Sequence, residues 1–165
     1  MSQSSARFAL PFLLPGQAQK ELFHNEALAR VDAVLHAVVE AGSATVPPAS
    51  PEPGQSWIVA PAAAGEWSGK ASMIACWTVG GWRFVAPVEG MLAWNRAAGL
   101  WMRWTGIAWS EGTLPASALL IGGQQVVGPR LPGVPSPSGG TTIDTEARVA
   151  IAALIATLKS HGLTD

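Results

Sequence analysis

Glu21, His24, Asp32 and His36 form the one close grouping of side chains in this sequence able to ligate a metal or pass protons. At 100° per residue of helix, Glu21, His24 and Asp32 lie within about 80° of one another, so a carboxylate and imidazole set faces one way. A carboxylate-bridged di-metal bundle takes Glu-x-x-His from two helices. This chain has a single such pair, so the grouping reads as a helix-surface ion pair with polar caps, and neither metal nor cofactor is expected. No Gly-x-Ser-x-Gly elbow occurs, and no Walker or dinucleotide glycine pattern. The three histidines stand far from any plausible nucleophile in sequence. Cys76 is the only cysteine, which excludes a disulfide framework; between Ala75 and Trp77 it reads as a small buried apolar residue. No catalytic residue is assigned, and no enzymatic activity is expected.

Binding chemistry is better represented than catalysis. There are eight tryptophans and no tyrosine; an indole fills cores and interfaces, and an exposed one can receive the apolar face of a sugar ring. Alternation along a strand puts Leu100, Met102 and Trp104 on one face and Trp101 with Arg103 on the other. Trp101 and Arg103 are therefore the candidate contact with a glycan or a protein partner. Core or subunit packing is expected of most other tryptophans.

The elements that position these residues follow from periodicity. Residues 1–14 read as an extended arm, apolar at Phe8, Leu10, Phe12, Leu13 and Leu14 without a helical period, and stable only if docked. Pro15 to Glu40 reads as one amphipathic helix, with Leu28, Val31, Leu35 and Val38 at three- and four-residue steps. Pro15 suits its first turn and Gly42 its left-handed stop. Arm and helix make an oligomerisation region over 1–43. The four prolines of Ala44 to Gly54 make a stiff connector.

From 56 to 110 the period becomes that of strands, predicting a small Trp-rich antiparallel β domain: Trp57–Ala60, Ser72–Val79, Trp82–Ala86, Met91–Asn95, Leu100–Thr105 and Ile107–Trp109. Trp77-Thr78-x-x-x-Trp82 returns as Trp104-Thr105-x-x-x-Trp109, which implies two copies of one hairpin. Residues 111–142 combine an apolar segment with a Pro/Gly-rich linker. A short C-terminal helix over 143–163 starts from Thr142 or Asp144, carries Ile151, Leu154 and Leu158 on one face, and stops at His161-Gly162. The fold class is α+β.

Taken as heptads, Leu28 and Leu35 fall at a and Val31 and Val38 at d. Carried backwards, the register puts His24 at d and Glu21 at a. Leucine at a with a β-branched residue at d disfavours two strands and shifts the preference towards three or four. Ile151, Leu154 and Leu158 extend the same logic to a coiled-coil-like C-terminal helix, and the expected assembly is a parallel homotrimer. Composition agrees: 48% of the residues are apolar and only 13% charged, against roughly 25% charged in typical soluble chains, so part of the apolar surface is expected to meet other chains. A net charge of −1 with no basic stripe points away from nucleic acid and from anionic membrane surfaces. The N-terminus is too short in apolar run and too interrupted by Pro11 and Pro15 for a signal or spanning helix, so synthesis in the cytoplasm and no membrane insertion are expected.

Pro15-Gly-Gln-Ala-Gln-Lys, followed by His24-Asn-Glu-Ala-Leu and Asp32-Ala, resembles the opening motif of the domain-of-unknown-function 2793 family. That family turns up in tail-fibre-like and spike-like proteins of prophages and gene transfer agents. The resemblance continues through Trp57-Ile-Val, Gly65-Glu-Trp67-x-Gly69, Gly81-Trp82-x-Phe84 and Gly90-Met-Leu-Ala-Trp94, covering roughly residues 8 to 110. It implies a virion structural role among neighbouring tail or baseplate proteins, particle association after release, and recognition of host-surface polysaccharide as the alternative. It adds no catalytic residue and raises the prior for a trimer.

Overall fold

The computed structural model describes residues 3–14, 16 and 20–165, which divide into one unit ending at Leu114 and another beginning at Pro115. In the first unit, helix α1 spans Lys20–Val34, followed by strands β1 (Val38–Val39), β2 (Ser56–Ile58), β3 (Ile74–Thr78), β4 (Gly81–Val85), β5 (Leu92–Asn95), β6 (Leu100–Trp104) and β7 (Trp109–Glu111). These make two sheets, ordered β1-β5-β6-β7 and β2-β3-β4. All pairings are antiparallel except β1 with β5, where Val38 lies beside Trp94 and Val39 beside Asn95.

Helix α1 is shorter than the Pro15–Glu40 span expected from periodicity; Pro15 itself lies outside the described residues. Val38, expected at a helical d position, is instead a strand residue, so the heptad register does not extend to it. The cause lies in the arm. The Arg7 guanidinium donates to the carbonyls of Asp32, Ala33, Leu35 and His36, taking up acceptors left free at the helix end. His36 then adopts φ 45°, the left-handed turn that had been assigned to Gly42. Gly42 serves another purpose: a Cβ there would lie 2.7 Å from Met102 Sδ and 2.9 Å from Asn95 Nδ2.

The Trp-Thr repeat is two equivalent hairpin closures. Thr78 Oγ1 donates to the Gly81 carbonyl and accepts from Gly80 N, while Thr105 Oγ1 donates to the Ala108 carbonyl and accepts from Ile107 N. The flanking tryptophans face each other across the strands, Trp77 with Trp82 at 5.0 Å between ring centroids and Trp104 with Trp109 at 5.6 Å. Cross-strand aromatic pairs of this kind stabilise a sheet by roughly 0.2–1 kcal/mol each. The core between the sheets gathers Ala37, Val39, Ala93 and Met102 against Ile58 and Ile74. A second cluster, on the other face of β2-β3-β4, holds Trp57, Val59, Trp67 and Ala75 with Trp82 and Phe84 against it. Trp109 Nε1 donates to the Ser72 carbonyl at 2.8 Å and ties β7 to the turn before β3.

The second unit contains a hairpin, β8 (Leu119–Ile121) with β9 (Gln124–Val127), and helix α2 (Thr145–Ser160). The hairpin turns through Gly122-Gly123 at φ 58° and 78°, the double positive φ of a type I′ turn. Asp144 caps α2 by accepting from Ala147 N at 2.8 Å, and Gly162 at φ 69° follows its end. After α2 the chain returns to residue 131, where Thr164 Oγ1 donates to the carbonyls of Leu131 and Pro132. Among the described residues, no helix is long and apolar enough to cross a membrane.

Candidate functional site

The expected ligand set is taken apart by the arm. Asp32, 3% exposed, accepts from Ser5 Oγ at 2.6 Å, Phe8 N at 2.8 Å and Arg7 N at 2.9 Å, so both carboxylate oxygens are engaged. Two successive backbone N–H groups aimed at one carboxylate make an anion-binding concavity filled from within the chain. His36 lies against the Phe8 ring, with centroids 6.5 Å apart, and His24 is exposed. Asp32 therefore staples the arm to α1. Asn25 adds a second clamp, accepting from Leu13 N and donating to the Leu13 carbonyl.

Glu21, the remaining member of the set, has its Oε2 buried without a hydrogen-bond partner among the described residues, whereas Glu26 is paired and Cys76 is buried. Glu26 receives Arg83 of β4 at 2.6 Å and Arg30 at 3.0 Å. Burial pushes the Glu26 carboxyl up, but the hydrogen bonds from Arg83 and Arg30 outweigh it and hold the group below the ordinary carboxylate value. Cys76 is buried opposite Ser56 and Arg83, and burial pushes its thiol up, away from the reactive thiolate.

What remains open is the outer face of the β1-β5-β6-β7 sheet. Trp101 is 42% exposed, as alternation predicted, and Met102 beside it is buried. Leu100, assigned to the inward face with Met102, is nevertheless exposed at the start of β6. Arg103 is half-buried, and its Nε finds no hydrogen-bond partner among the described residues. The register sets Trp101 opposite Trp94, their rings edge to face at 5.3 Å, and Trp94 beside Val38. Val38 also lines a cleft of about 230 Å³ with Arg7, Glu40, Glu52, Gly54 and Arg96, in which Arg96 and Glu40 pair at 3.0 Å. The shared face of Trp101 and Arg103 was legible from alternation, but Arg103 is less exposed there than expected. Trp94 and the cleft were not legible, since their position depends on the β1–β5 pairing.

The expected assembly residues are mostly uncovered. Val31, Leu35, Ile151, Leu154 and Leu158 are exposed and Leu28 is half-buried. On α1, Ala33 and Glu26, which reaches β4, lie on one side; at 100° per residue Val31 falls roughly opposite, and Leu35, in the turn just past the helix end, continues its line. Sequence reasoning missed the hairpin of β8 and β9, every residue of which is exposed.

A family model described as protein of unknown function (DUF2793) matches residues 24–110, just over half of the chain. No curated protein matches. The matched span runs from His24 in α1 to Ser110 in β7, and so contains Asp32, both Trp-Thr hairpins and the Trp94–Trp101 pair.

Proposed function

The chain belongs to the DUF2793 family, and we propose that this member is a non-enzymatic structural component of a phage-like particle, a tail-fibre, spike or baseplate attachment protein. It assembles with copies of itself after synthesis in the cytoplasm. The observation that carries the reading is the second unit, whose helix leaves Val149, Ile151, Leu154 and Leu158 exposed while Ile155 and Thr164 alone of its residues are buried. A folded segment with so little interior draws its stability from contact with other chains. Exposed Val31 of α1 with exposed Leu35 in the turn just after it, beside half-buried Leu28 and without Val38, offers a second contact. The particle setting and the number three rest on the resemblance of the opening motif to fibre-like and spike-like proteins. The proposal is tested by locating the protein in purified particles by reconstruction, together with sedimentation of the free chain. Absence from particles, with a stable monomer in solution, overturns it.

One observation favours a second reading, recognition of host-surface polysaccharide. The Trp94–Trp101 platform continues through Val38 to a cleft whose arginines and carboxylates can hydrogen-bond hydroxyl groups. A glycan array separates the two: no glycan bound by a particle-associated protein leaves the structural role alone.

A further inference from the structure

We propose that the β8–β9 hairpin is a self-association element that pairs, edge to edge, with the same hairpin of a second copy. The inference rests on the assembly reading above and assigns it a surface that neither helix supplies. An isolated two-stranded ribbon is marginal in water, and here Leu119, Leu120 and Ile121 are 55%, 59% and 65% exposed. Both faces of the ribbon carry apolar residues, so no single covering layer in the unit hides them. Among the described residues, neither outer edge of the ribbon is paired.

Edges of that kind are blunted by charge, proline, brevity or a bulge; this ribbon is short and has a register shift between Leu119 and Leu120, so charge and proline are the devices it lacks. From Gly112 to Pro129 there is no charged residue at all, and no proline lies within either strand. The polar side chains of the strands are Gln124 and Gln125, and a primary amide both donates and accepts, so identical glutamines from two copies can bond to each other. The occupant must also satisfy backbone. In a two-residue hairpin, Ile121 and Gln124 exchange the bonds that close the turn, which leaves the N–H and C=O groups of Leu120 and Gln125 pointing outward. A lipid bilayer cannot satisfy those groups, whereas a second strand can. An identical strand without charge meets no repulsion in doing so.

The test uses the full chain and reads amide hydrogen exchange at Leu120 and Gln125 across a concentration series, beside sedimentation velocity. Protection of the amide on the paired edge, Leu120 if β8 pairs or Gln125 if β9 pairs, is expected to rise more than about tenfold as oligomer forms. Ile121→Lys and Val126→Lys, both at exposed positions, should each raise the concentration of half-association by at least about tenfold. All eight tryptophans lie in the first unit, so unchanged tryptophan fluorescence shows that the variants keep that unit folded. An oligomer that persists with Leu120 and Gln125 unprotected overturns the hairpin pairing and leaves the assembly reading standing. A monomer at every concentration overturns both. Flotation of the parent with neutral phosphatidylcholine vesicles, abolished in Ile121→Lys, would instead assign the hairpin to a membrane.

Discussion

Asp32→Ala should detach the N-terminal arm and take with it the cap on α1. Three donors converge on the carboxylate at 2.6, 2.8 and 2.9 Å, and a hydrogen bond to a charged group contributes roughly 1.5–3 kcal/mol net. The three do not add in full, because once the arm lifts, water satisfies the donors; about 3–4 kcal/mol is the expected loss. Against a total stability of roughly 5–15 kcal/mol, that is a large shift. Asp32→Asn keeps acceptor capacity on one oxygen but turns an NH₂ towards a donor, and should cost about 2–3 kcal/mol. The coupling partner is Arg7, whose guanidinium reaches four carbonyls at the helix end. In a double-mutant cycle, Arg7→Ala and Asp32→Ala should therefore couple by more than about 1 kcal/mol. Denaturant unfolding gives the energies, and amide exchange at Arg7 and Phe8 reports the arm directly. A loss below about 1 kcal/mol for Asp32→Ala, with those amides still protected, would refute the staple.

Other perturbations test separate links. Gly42→Ala forces a methyl to 2.7 Å from Met102 Sδ and should destabilise by about 1–3 kcal/mol in thermal or chemical unfolding, as overpacking does; a neutral result would mean that the β1 exit is not closely packed. The folded pKa of Glu26 lies below its ordinary value of 4.5, so its contribution is complete above that pH and fades as pH falls through the folded value. Arg83→Met should flatten the stability profile in that acid window while leaving its shape near neutrality unchanged. Trp101→Ala should weaken binding to host-surface polysaccharide, if the parent binds one, while lowering stability by less than about 1.5 kcal/mol, since the indole is 42% exposed; unchanged binding removes the platform from recognition.

Five strands were legible in the sequence because their cues are local: β-branched and aromatic runs, turn glycines, and the repeated Trp-Thr spacing whose hydroxyls close both hairpins. The sixth, expected at Ile107–Trp109, lies instead at Trp109–Glu111, because Thr105 Oγ1 holds Ile107 and Ala108 in the turn. Helix α2 was legible from local cues as well, with Asp144 capping it and Gly162 following its end. The end of α1 was not, because it is decided by Arg7, a residue far away in sequence. Val38 continued the helical period of Leu28, Val31 and Leu35, and only parallel pairing with Trp94 places it in a strand. Asp32 kept its place on the helix but changed its meaning. Two polar residues of the arm, Ser5 and Arg7, were the available signal that a buried acceptor waited for it. The uncharged run from Gly112 to Pro129 was visible, yet nothing local marked its hairpin as open on both faces.

Sedimentation equilibrium of the purified chain at micromolar concentration tests the central claim most directly. A homotrimer is predicted, and Leu35→Asp should dissociate it by placing a charge in the exposed line that runs from Val31 of α1 into the turn after it, whereas Arg30→Asp should leave the mass unchanged. A parent chain that stays monomeric, folded and soluble across the whole concentration range would contradict the account.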